Sequence, residues 1–409
     1  MGKPEIIAGL DMGSSRVTCV IAARDPDEDK IRVLSGASVA CKGLKGGVVV
    51  NISETARAVA SVMEEAEEKA KEMVGEVYLG VRGAHIQSFN NRGAYNIART
   101  DREITAEDVS NVIETAKAVP ISSDREILHV IPQGFSLDRQ RGVPNPVGME
   151  GSLLEVGVHI VTASSSHINN LMKSVSQAGF RVVDTIYTLL AVGELVVSSE
   201  EKDLGCLLID MGGQTTSAGI YYEGSIHFSK EIASGGDYIT RDIAYGFGTT
   251  MPIAQEIKEK YGAVISNLIE EDKTISITGM DGVTKKEVKP RDLLDFIQPR
   301  AEEIYDRVNA AVQNSNYSDL PGGAILTGGA ALLKGMSSAA EQLLDLKQSR
   351  LGAPVQAILE CPPQYSTQPY MGALGLVCYP NLKTWNADTP GVAGVSLEKR
   401  AWRWLKDLF

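Results

Sequence analysis

The chain has 409 residues, of which 43% are apolar and 22% are charged, and its formal net charge is −12. These values are typical of a globular protein with two or more domains, and the acidic balance excludes general nucleic-acid binding because no surplus of lysine and arginine is present to neutralise phosphates. Five scattered cysteines without a CxxC pair indicate reduced thiols, and five isolated histidines argue against a metal site.

The apolar patterns along the chain predict alternating strands and helices. In chain order they predict a hairpin of strands over 6–10 and 16–23, a helix over 54–73, a strand over 76–81, a helix over 167–179 that ends at a glycine, and buried strands within 204–213 and 324–329. Thr105 and Asp108 form the pattern of a capping box at the start of one more helix. The N-terminus enters the first strand without a signal peptide, and no apolar run approaches the roughly 20 residues that span a bilayer. Mixed elements of this kind indicate an α/β or α+β architecture.

Three short segments carry the predicted chemistry. Residues 9–18 (GLDMGSSRVT) and 207–224 (LLIDMGGQTTSAGIYYEG) each contain an apolar strand that ends in Asp-Met-Gly, followed by small polar residues and a second strand. Residues 324–336 (AILTGGAALLKGM) form an apolar strand that ends in Thr-Gly-Gly and runs into a predicted helix. Turns rich in glycine, serine and threonine expose backbone N–H groups that suit phosphate oxygens. An aspartate at the strand end can hold the waters of Mg²⁺, and a Gly-Gly turn lets a nucleoside pack on bare backbone.

The order of these segments resembles the actin, Hsp70 and sugar-kinase superfold, and nearly the whole chain is similar to the bacterial FtsA family of cell-division proteins. The carriers of the resemblance are EILHVIPQGF (126–135), GVPNPVGMEG (142–151), DIAYGFGTT (242–250), AQEIKEKYG (254–262) and YMGALGLV (370–377). The resemblance implies an α/β, actin-like fold of two duplicated ribonuclease-H-like domains with an inserted subdomain and a C-terminal amphipathic helix. It also implies an ATP-binding protein that polymerises on the inner face of the cytoplasmic membrane at the division site. There it would anchor filaments of the tubulin-like FtsZ and meet other divisome proteins.

The resemblance also implies the domain boundaries. They are 1–83 (subdomain 1A, first part), 84–162 (the family-specific subdomain 1C), 163–203 (subdomain 1A, second part), 204–225 (subdomain 2A, first part), 226–320 (subdomain 2B), 321–382 (subdomain 2A, second part), 383–396 (linker) and 397–409 (membrane-targeting helix).

Position by position, the resemblance implies a site for ATP and Mg²⁺. Asp11 and Asp210 match the two aspartates on the Mg²⁺ side, and Lys258 matches a lysine beside the adenine. The remaining matches are the first phosphate turn, the second phosphate turn, a glycine pair beside the phosphates and the adenosine loop: Gly13, Ser14, Ser15 and Arg16; Gly212, Gly213, Gln214 and Thr215; Gly235 and Gly236; Gly328 and Gly329. Relatives often have lysine at the position of Arg16, glycine at that of Gln214 and glutamate at that of Gln255. No pattern points to a residue that orients an attacking water, so the expectation is a tethering protein with at most weak Mg²⁺-dependent ATPase activity.

The last segment, LEKRAWRWLKDLF (397–409), contains two of the three tryptophans. Placed on a helix at about 100° per residue, it separates into an apolar arc and a basic side. The arc consists of Leu397, Ala401, Trp402, Trp404, Leu405, Leu408 and Phe409, and the basic side carries Lys399, Arg400, Arg403 and Lys406. This arrangement predicts a helix that lies on anionic lipid, joined to the body by a linker over 383–396 that contains proline and glycine. The alternative is a terminal helix that docks on the protein's own body.

The segment IQPRAEEIYDRV (297–308) predicts a helix begun by Pro299, with Arg300 in its first turn. Because FtsZ tails in the family are short, acidic and apolar, an exposed Arg300 is the candidate anchor for the FtsZ C-terminal tail. The alternative is an Arg300 that is solvated or paired with a neighbouring glutamate.

Other functions of the same superfold stay open at this point. A small-molecule kinase would need a catalytic carboxylate and a substrate cleft, and would gain nothing from the tail. An Hsp70-like chaperone would need a large peptide-binding domain for which no residues remain. A pilus-assembly protein or another ATPase of the superfamily is the nearest alternative, against which the tail and the HVIPQ and NPVG segments argue.

Overall fold

The computed structural model describes residues 4–25, 30–269, 273–315, 317, 319–355 and 359–381, so the predicted linker over 383–396 and the tail over 397–409 lie outside the described residues. The strands are β1 (Glu5–Met12), β2 (Arg16–Asp25), β3 (Lys30–Ala40), β4 (Leu44–Lys45), β5 (Val48–Val49), β6 (Glu76–Val81), β7 (Gln87–Asn96), β8 (Arg125–Leu137), β9 (Gln140–Val143), β10 (Leu153–Ser164), β11 (Arg181–Tyr187), β12 (Cys206–Met211), β13 (Thr216–Tyr222), β14 (Ser225–Ile232), β15 (Ile275–Thr278), β16 (Lys285–Val288), β17 (Ala324–Thr327), β18 (Ser349–Leu351) and β19 (Leu359–Glu360).

The helices alternate with these strands. They are α1 (Ile52–Ala70), α2 (Ala106–Lys117), α3 (Ser165–Gln177), α4 (Thr188–Val196), α5 (Ser199–Leu204), α6 (Gly236–Phe247), α7 (Met251–Tyr261), α8 (Pro290–Gln313), α9 (Met336–Leu343) and α10 (Met371–Cys378), with 3₁₀ turns at Ser266–Leu268, Gly329–Leu332, Gln368–Tyr370 and Tyr379–Asn381. Among the described residues, no helix has both the length and the apolar character needed to cross a membrane.

Two sheets repeat one strand order. The first has the order β11-β6-β1-β2-β3, with β19 added beside β3, and the second has the order β18-β17-β12-β13-β14. In each sheet the first three strands along the chain are antiparallel neighbours, and the next two are added in parallel. Helices cover these sheets, so the central strands β1 and β12 are almost continuously buried. The repetition makes Asp11 near the end of β1 the counterpart of Asp210 near the end of β12.

A third sheet, with the order β7-β10-β8-β9, is inserted between β6 and β11 and packs on α2. Thr105 and Asp108 form the predicted capping box of α2, because the Thr105 side chain accepts from the Asp108 N–H and the Asp108 carboxylate accepts from the Thr105 N–H. The inserted sheet also contacts β14 of the second repeat. The Ser88 hydroxyl donates to the Ser229 carbonyl at 2.7 Å, and His159 Nε2 lies 2.9 Å from Ser229 Oγ.

Two local predictions were wrong. The helix that contains Pro299 begins at Pro290, where Asp292 caps the backbone of Lys289, and Pro299 lies inside α8 with its ring exposed. The segment after β17 forms only a short 3₁₀ turn over Gly329–Leu332, and an α-helix starts later, at Met336. The strand over 76–81 has the predicted bounds, whereas the helix predicted over 54–73 ends early because Lys71 adopts φ 57°.

Candidate functional site

A cavity of about 500 Å³ lies between the two hairpin turns that follow β1 and β12. The sequence-predicted residues that line it are Asp11, Gly13, Ser14, Ser15, Arg16, Gly212, Gly213, Gln214, Thr215, Gly236, Lys258 and Gly329. Asp210, Gly235 and Gly328 do not line the cavity, but each lies next to a residue that does: Arg82, Gly212 and Gly329, respectively. Gly328, at φ 84°, must be glycine because a Cβ there would lie 2.4 Å from the Met211 carbonyl oxygen and 2.6 Å from Asp210 Oδ1. Gly235 packs equally closely on the Gly212 carbonyl and caps the N-terminus of α6.

The first turn is fixed within its own repeat and also reaches across the cavity. The Gly47 N–H donates to Ser14 Oγ at 2.8 Å, which holds the turn against the β4–β5 loop. Arg16 donates from Nη2 to the Ser38 carbonyl at 2.7 Å and so lies along β3. Ser15 Oγ donates to Asp237 Oδ2 at 2.6 Å, and Asp237 is in the first turn of α6 in the second repeat.

The second turn repeats this arrangement in the opposite direction. The Gly212 N–H donates to the Thr215 carbonyl at 2.9 Å, and the Gly213 carbonyl accepts from the Asp237 N–H at 2.7 Å. Gln214 Oε1 accepts from the Gly46 N–H of the first repeat at 3.0 Å. Each turn therefore sends one side chain to the other repeat, and the two turns approach so closely that a Cβ on Gly213 would lie 2.0 Å from Ser15 Oγ.

Arg82, which sequence reasoning missed, joins the two aspartates. Its Nε donates to Asp11 Oδ1 at 3.1 Å and its Nη2 to Asp11 Oδ2 at 2.7 Å, while its Nη1 donates to Asp210 Oδ2 at 3.1 Å. The three side chains are only 10%, 11% and 5% exposed, in the order Arg82, Asp11, Asp210. Desolvation acts to lower the pKa of Arg82, but the Asp11 and Asp210 carboxylates outweigh it and raise that pKa, so the guanidinium stays charged. The available signal was a charged residue placed directly after the apolar strand over 76–81.

A buried glutamate lies behind this ion-pair cluster. Glu231 Oε2 accepts from the Gly83 N–H at 3.2 Å, and Glu231 Oε1 accepts from the Tyr187 hydroxyl at 2.9 Å. Burial raises the pKa of Glu231, against the opposite effects of Ser217, Tyr187 and Arg82. Burial likewise raises the pKa of Asp11, although its ion pair with Arg82 acts in the other direction. The cavity floor is therefore a dense network of charged and polar groups that spans both repeats.

The far end of the cavity is suited to a nucleoside. Lys258 is 8% exposed, and its Nζ donates to the Gly236 carbonyl at 3.1 Å and to Thr240 Oγ1 at 2.8 Å. Desolvation lowers the pKa of Lys258, while Asp237 and Glu259 act to raise it. Gln255 Oε1 accepts from Thr240 Oγ1 at 2.6 Å, so its side chain already has a protein partner. A Cβ on Gly329 would meet nothing within 4 Å, so the backbone faces open space there.

The residues of this cavity fit a nucleoside phosphate better than they fit a metal ion. Two glycine-rich turns and a bare backbone at Gly329 leave space for phosphates and a nucleoside. The carboxylates are less well suited to binding a metal ion directly, because all four oxygens of Asp11 and Asp210 already accept hydrogen bonds from Arg82 or from Thr327 Oγ1. Among the described residues, no group of three or more histidine, cysteine, aspartate or glutamate side chains could hold a metal ion.

Arg300 lies outside this cavity and is not the exposed side chain that was expected. Its Nε donates to Asp242 Oδ2 of α6 at 2.7 Å, and its Nη1 pairs with Glu303 one turn along α8. Only 23% of the Arg300 side chain is exposed. The structure therefore favours the alternative in which Arg300 is paired within the protein.

Residues 83–162 match the family described as "SHS2 domain inserted in FTSA", and residues 207–372 match the family described as "Cell division protein FtsA". The Cell division protein FtsA of Pseudomonas aeruginosa is 34% identical over 397 residues, which are 96% of this chain and 93% of the relative. The chain belongs to the FtsA family of cell-division proteins.

Solved structures support the fold. The "PilM-PilN type IV pilus biogenesis complex" has a TM-score of 0.65 at 17% identity and covers 91% of this chain and 98% of that chain. MreB5 of Spiroplasma citri bound to ADP has a TM-score of 0.56 at 13% identity and covers 92% of this chain and 96% of that chain. With the two repeated sheets and the inserted SHS2 domain, these likenesses confirm the predicted actin-like α/β fold of the FtsA family.

Proposed function

We propose that this cell-division protein binds ATP between its two repeats, polymerises on the inner face of the cytoplasmic membrane and anchors FtsZ filaments there to help assemble the division septum. The observation that carries the proposal is the cavity between two turns of one design, each from a different repeat. Because Ser15 of the first turn bonds to Asp237 of α6 and Gln214 of the second turn bonds to Gly46 of the first repeat, a ligand between the turns would change how the repeats are held together. Such coupling would allow a bound nucleotide to control the assembly of an actin-like filament.

The nucleotide proposal places the phosphates between residues 13–16 and 212–215, with the nucleoside toward Lys258 and Gly329. MreB5 of Spiroplasma citri, solved with ADP, has a similar fold, which supports a nucleotide in this cavity. Mg²⁺ would accompany ATP and contact Asp11 and Asp210 through water, and it would share their oxygens with Arg82 and Thr327. Hydrolysis would be weak, because Asp11, which could otherwise orient a water, is occupied by Arg82.

The test of nucleotide binding is a titration of the full chain with a fluorescent ATP analogue. We expect saturable binding that unlabelled ATP displaces, and no transfer of phosphate to small acceptor molecules. Phosphate transfer to a sugar or a carboxylic acid would favour the small-molecule kinase, and an absence of binding would reject the proposal.

The membrane proposal depends on the tail over 397–409, whose apolar arc and basic side fit anionic lipid. One short helix binds weakly and reversibly, so polymerisation would add avidity. Sedimentation with anionic liposomes, with and without ATP, followed by negative-stain microscopy of the pellet, tests both steps. We expect Trp404→Glu to lose nearly as much binding as deletion of 397–409, because burying a ring of this size is worth roughly 2–3 kcal/mol.

The control is Lys406→Ala, which removes one attraction to a headgroup of about 1 kcal/mol and should lose its effect at high salt. If Trp404→Glu still sedimented with the liposomes while Lys406→Ala no longer did, binding would be purely electrostatic, and insertion of the apolar arc would be rejected.

The partner proposal places the FtsZ C-terminal tail on the subdomain over 226–320. To bind Arg300, an acidic tail would have to displace Asp242 and Glu303, which form ion pairs with Arg300 in the structure. We expect Arg300→Glu to abolish co-pelleting with FtsZ polymers. Arg307→Glu, on the same helix and 50% exposed, is the matched control and should retain it. Equal losses in both variants would indicate a general charge effect, and retention in Arg300→Glu would move the site elsewhere.

A further inference from the structure

We propose that Arg82 is a built-in cation of the nucleotide site, which shares Asp11 and Asp210 with the Mg²⁺ that accompanies the nucleotide. The chain should therefore bind nucleotide with little dependence on divalent cations. This inference rests on the proposed binding of a nucleotide in the cavity. It identifies Arg82 as the residue that offsets negative charge at that site.

The geometry places a fixed positive charge between the two aspartates. The Arg82 guanidinium grips both oxygens of Asp11 and reaches one oxygen of Asp210, over distances of 2.7 to 3.1 Å. The second oxygen of Asp210 accepts from Thr327 Oγ1 at 3.2 Å. Every carboxylate oxygen of Asp11 and Asp210 thus already has a protein donor, so a hydrated Mg²⁺ at these two aspartates would have to share them with Arg82.

The charge balance leads to the same conclusion. Two buried carboxylates beside a phosphate site repel the phosphates unless a cation lies among them. The guanidinium supplies that cation permanently, since arginine keeps its proton at all physiological pH values. The other two basic side chains that line the cavity, Arg16 and Lys258, are bound to the Ser38 carbonyl and to the Gly236 carbonyl, respectively. Of these three basic side chains, Arg82 is the one that bonds to the aspartates, and it offsets one of their two negative charges.

Arg82 is also positioned to contact a ligand in the cavity. It lines the cavity itself, and its Nη1 would lie only 3.8 Å from a Cβ on Gly212 in the second phosphate turn. A residue that merely tied the two repeats together could lie behind the aspartates, as Glu231 does. Arg82 lies where both carboxylates and the phosphate turn can be reached at once.

The experiment compares the affinity for fluorescent ADP and ATP in excess Mg²⁺ and in EDTA, using the full chain. For the native chain we expect the dissociation constant in EDTA to be less than about tenfold above that in Mg²⁺, because the guanidinium remains as counter-charge. For Arg82→Gln, which keeps hydrogen-bond donors but loses the charge, we expect this ratio to increase by at least about tenfold. Arg181→Gln, an exposed arginine at the start of β11, is the matched control and should keep the native ratio.

Two further variants protect the test against a folding defect, which thermal unfolding would reveal. Arg82→Lys keeps the charge without the bidentate fork, so its ratio should stay close to the native one. The double variant Arg82→Gln with Asp210→Asn removes one charge of each sign and should bring the ratio back toward the native value. Equal ratios in the native chain and in Arg82→Gln would overturn the inference, and so would a native ratio above about a hundredfold. Binding in neither buffer would instead reject the nucleotide function itself.

Discussion

The two repeats place opposite residue types at one equivalent position. In the first sheet Asp11 pairs with Gly80 of β6, and in the second sheet Asp210 pairs with Thr327 of β17. Two residues beyond each of these partners stand Arg82 in the first repeat and Gly329 in the second. The first repeat therefore places a cation beside Asp11 and Asp210, and the second leaves bare backbone facing the cavity at Gly329. The two repeats therefore share a fold but differ in charge at this position, where Arg82 follows β6 and Gly329 follows β17.

The outer strands of the two repeats differ as well. In the first sheet β3 pairs with the short strand β19, whereas its counterpart β14 packs against the inserted sheet through His159 and Ser229. The inserted sheet is thus bonded to the second repeat although the chain enters and leaves it from the first. We expect substitutions on β14 to change the stability of the inserted sheet as well.

The largest effect on stability is expected when the ion pair between Arg82 and Asp11 is removed. Asp11→Ala removes both bonds of a bidentate pair and should lower the free energy of unfolding by about 3 to 5 kcal/mol. Asp210→Ala removes one bond from Arg82 and one from the uncharged Thr327 hydroxyl, and should have a smaller effect because only one of its lost bonds belongs to an ion pair. Urea unfolding of both variants measures the difference, and a larger loss in Asp210→Ala would contradict the asymmetry between the repeats.

The contact between β14 and the inserted sheet should be sensitive to acid. Burial, aided by neighbouring His227, lowers the pKa of His159 to about 3. Below pH 6.5 the unfolded chain binds a proton at this residue and the folded chain does not, so stability falls as the pH drops from about 6.5 to about 3. The loss attributable to His159 should reach about 2 kcal/mol at pH 5.

The control for this prediction is His159→Gln, which does not titrate and should show a shallower fall in unfolding free energy between pH 7 and pH 5. An identical pH dependence in the native chain and the variant would show that His159 is not the group responsible. His85 and His227 also have pKa values lowered to about 4 by burial and should leave a residual dependence.

A smaller effect, confined to the ligand, is expected at the open position of the second repeat. Gly329→Ala meets no atom within 4 Å and should leave the unfolding free energy unchanged. It should weaken nucleotide binding by about tenfold, or about 1.4 kcal/mol, if a nucleoside packs on this backbone. A fluorescent-nucleotide titration beside a melting curve separates the two quantities, and unaltered affinity would move the nucleoside away from Gly329.

The smallest effect is expected for the bond between the first turn and helix α6 of the second repeat. Ser15→Ala removes the 2.6 Å bond to Asp237 and should cost about 1 kcal/mol of the contact between the repeats. Ser14→Ala, whose lost bond from Gly47 lies within the first repeat, is the matched control. Hydrogen exchange at the start of α6 should become faster in Ser15→Ala only; equal rates in both variants would mean that the Ser15 bond does not hold the repeats together.

Much of this fold could be predicted from the sequence because its signals are local. The capping box of Thr105 and Asp108 and the strand over 76–81 depend on neighbours in the chain. Pro299 misled the prediction because Pro290 carries the same helix-start signal, and only the buried apolar face of α8, from Leu293 through Ile297, shows which proline begins the helix.

The central contact of the site could not be predicted in this way. Arg82 and Asp210 are 128 residues apart and meet only because the two sheets face each other in the folded chain. No local pattern encodes such a pair, and a charged residue after an apolar strand is common on protein surfaces. The pairing of Arg300 with Asp242 of α6 depends on tertiary packing in the same way.

The most direct test of the account is a crystal structure of the full chain with a non-hydrolysable ATP analogue. The account predicts phosphates between residues 13–16 and 212–215, with the nucleoside against Gly329 and Lys258. Phosphates bound elsewhere, with the Ser15 to Asp237 contact and the cavity unchanged, would contradict it.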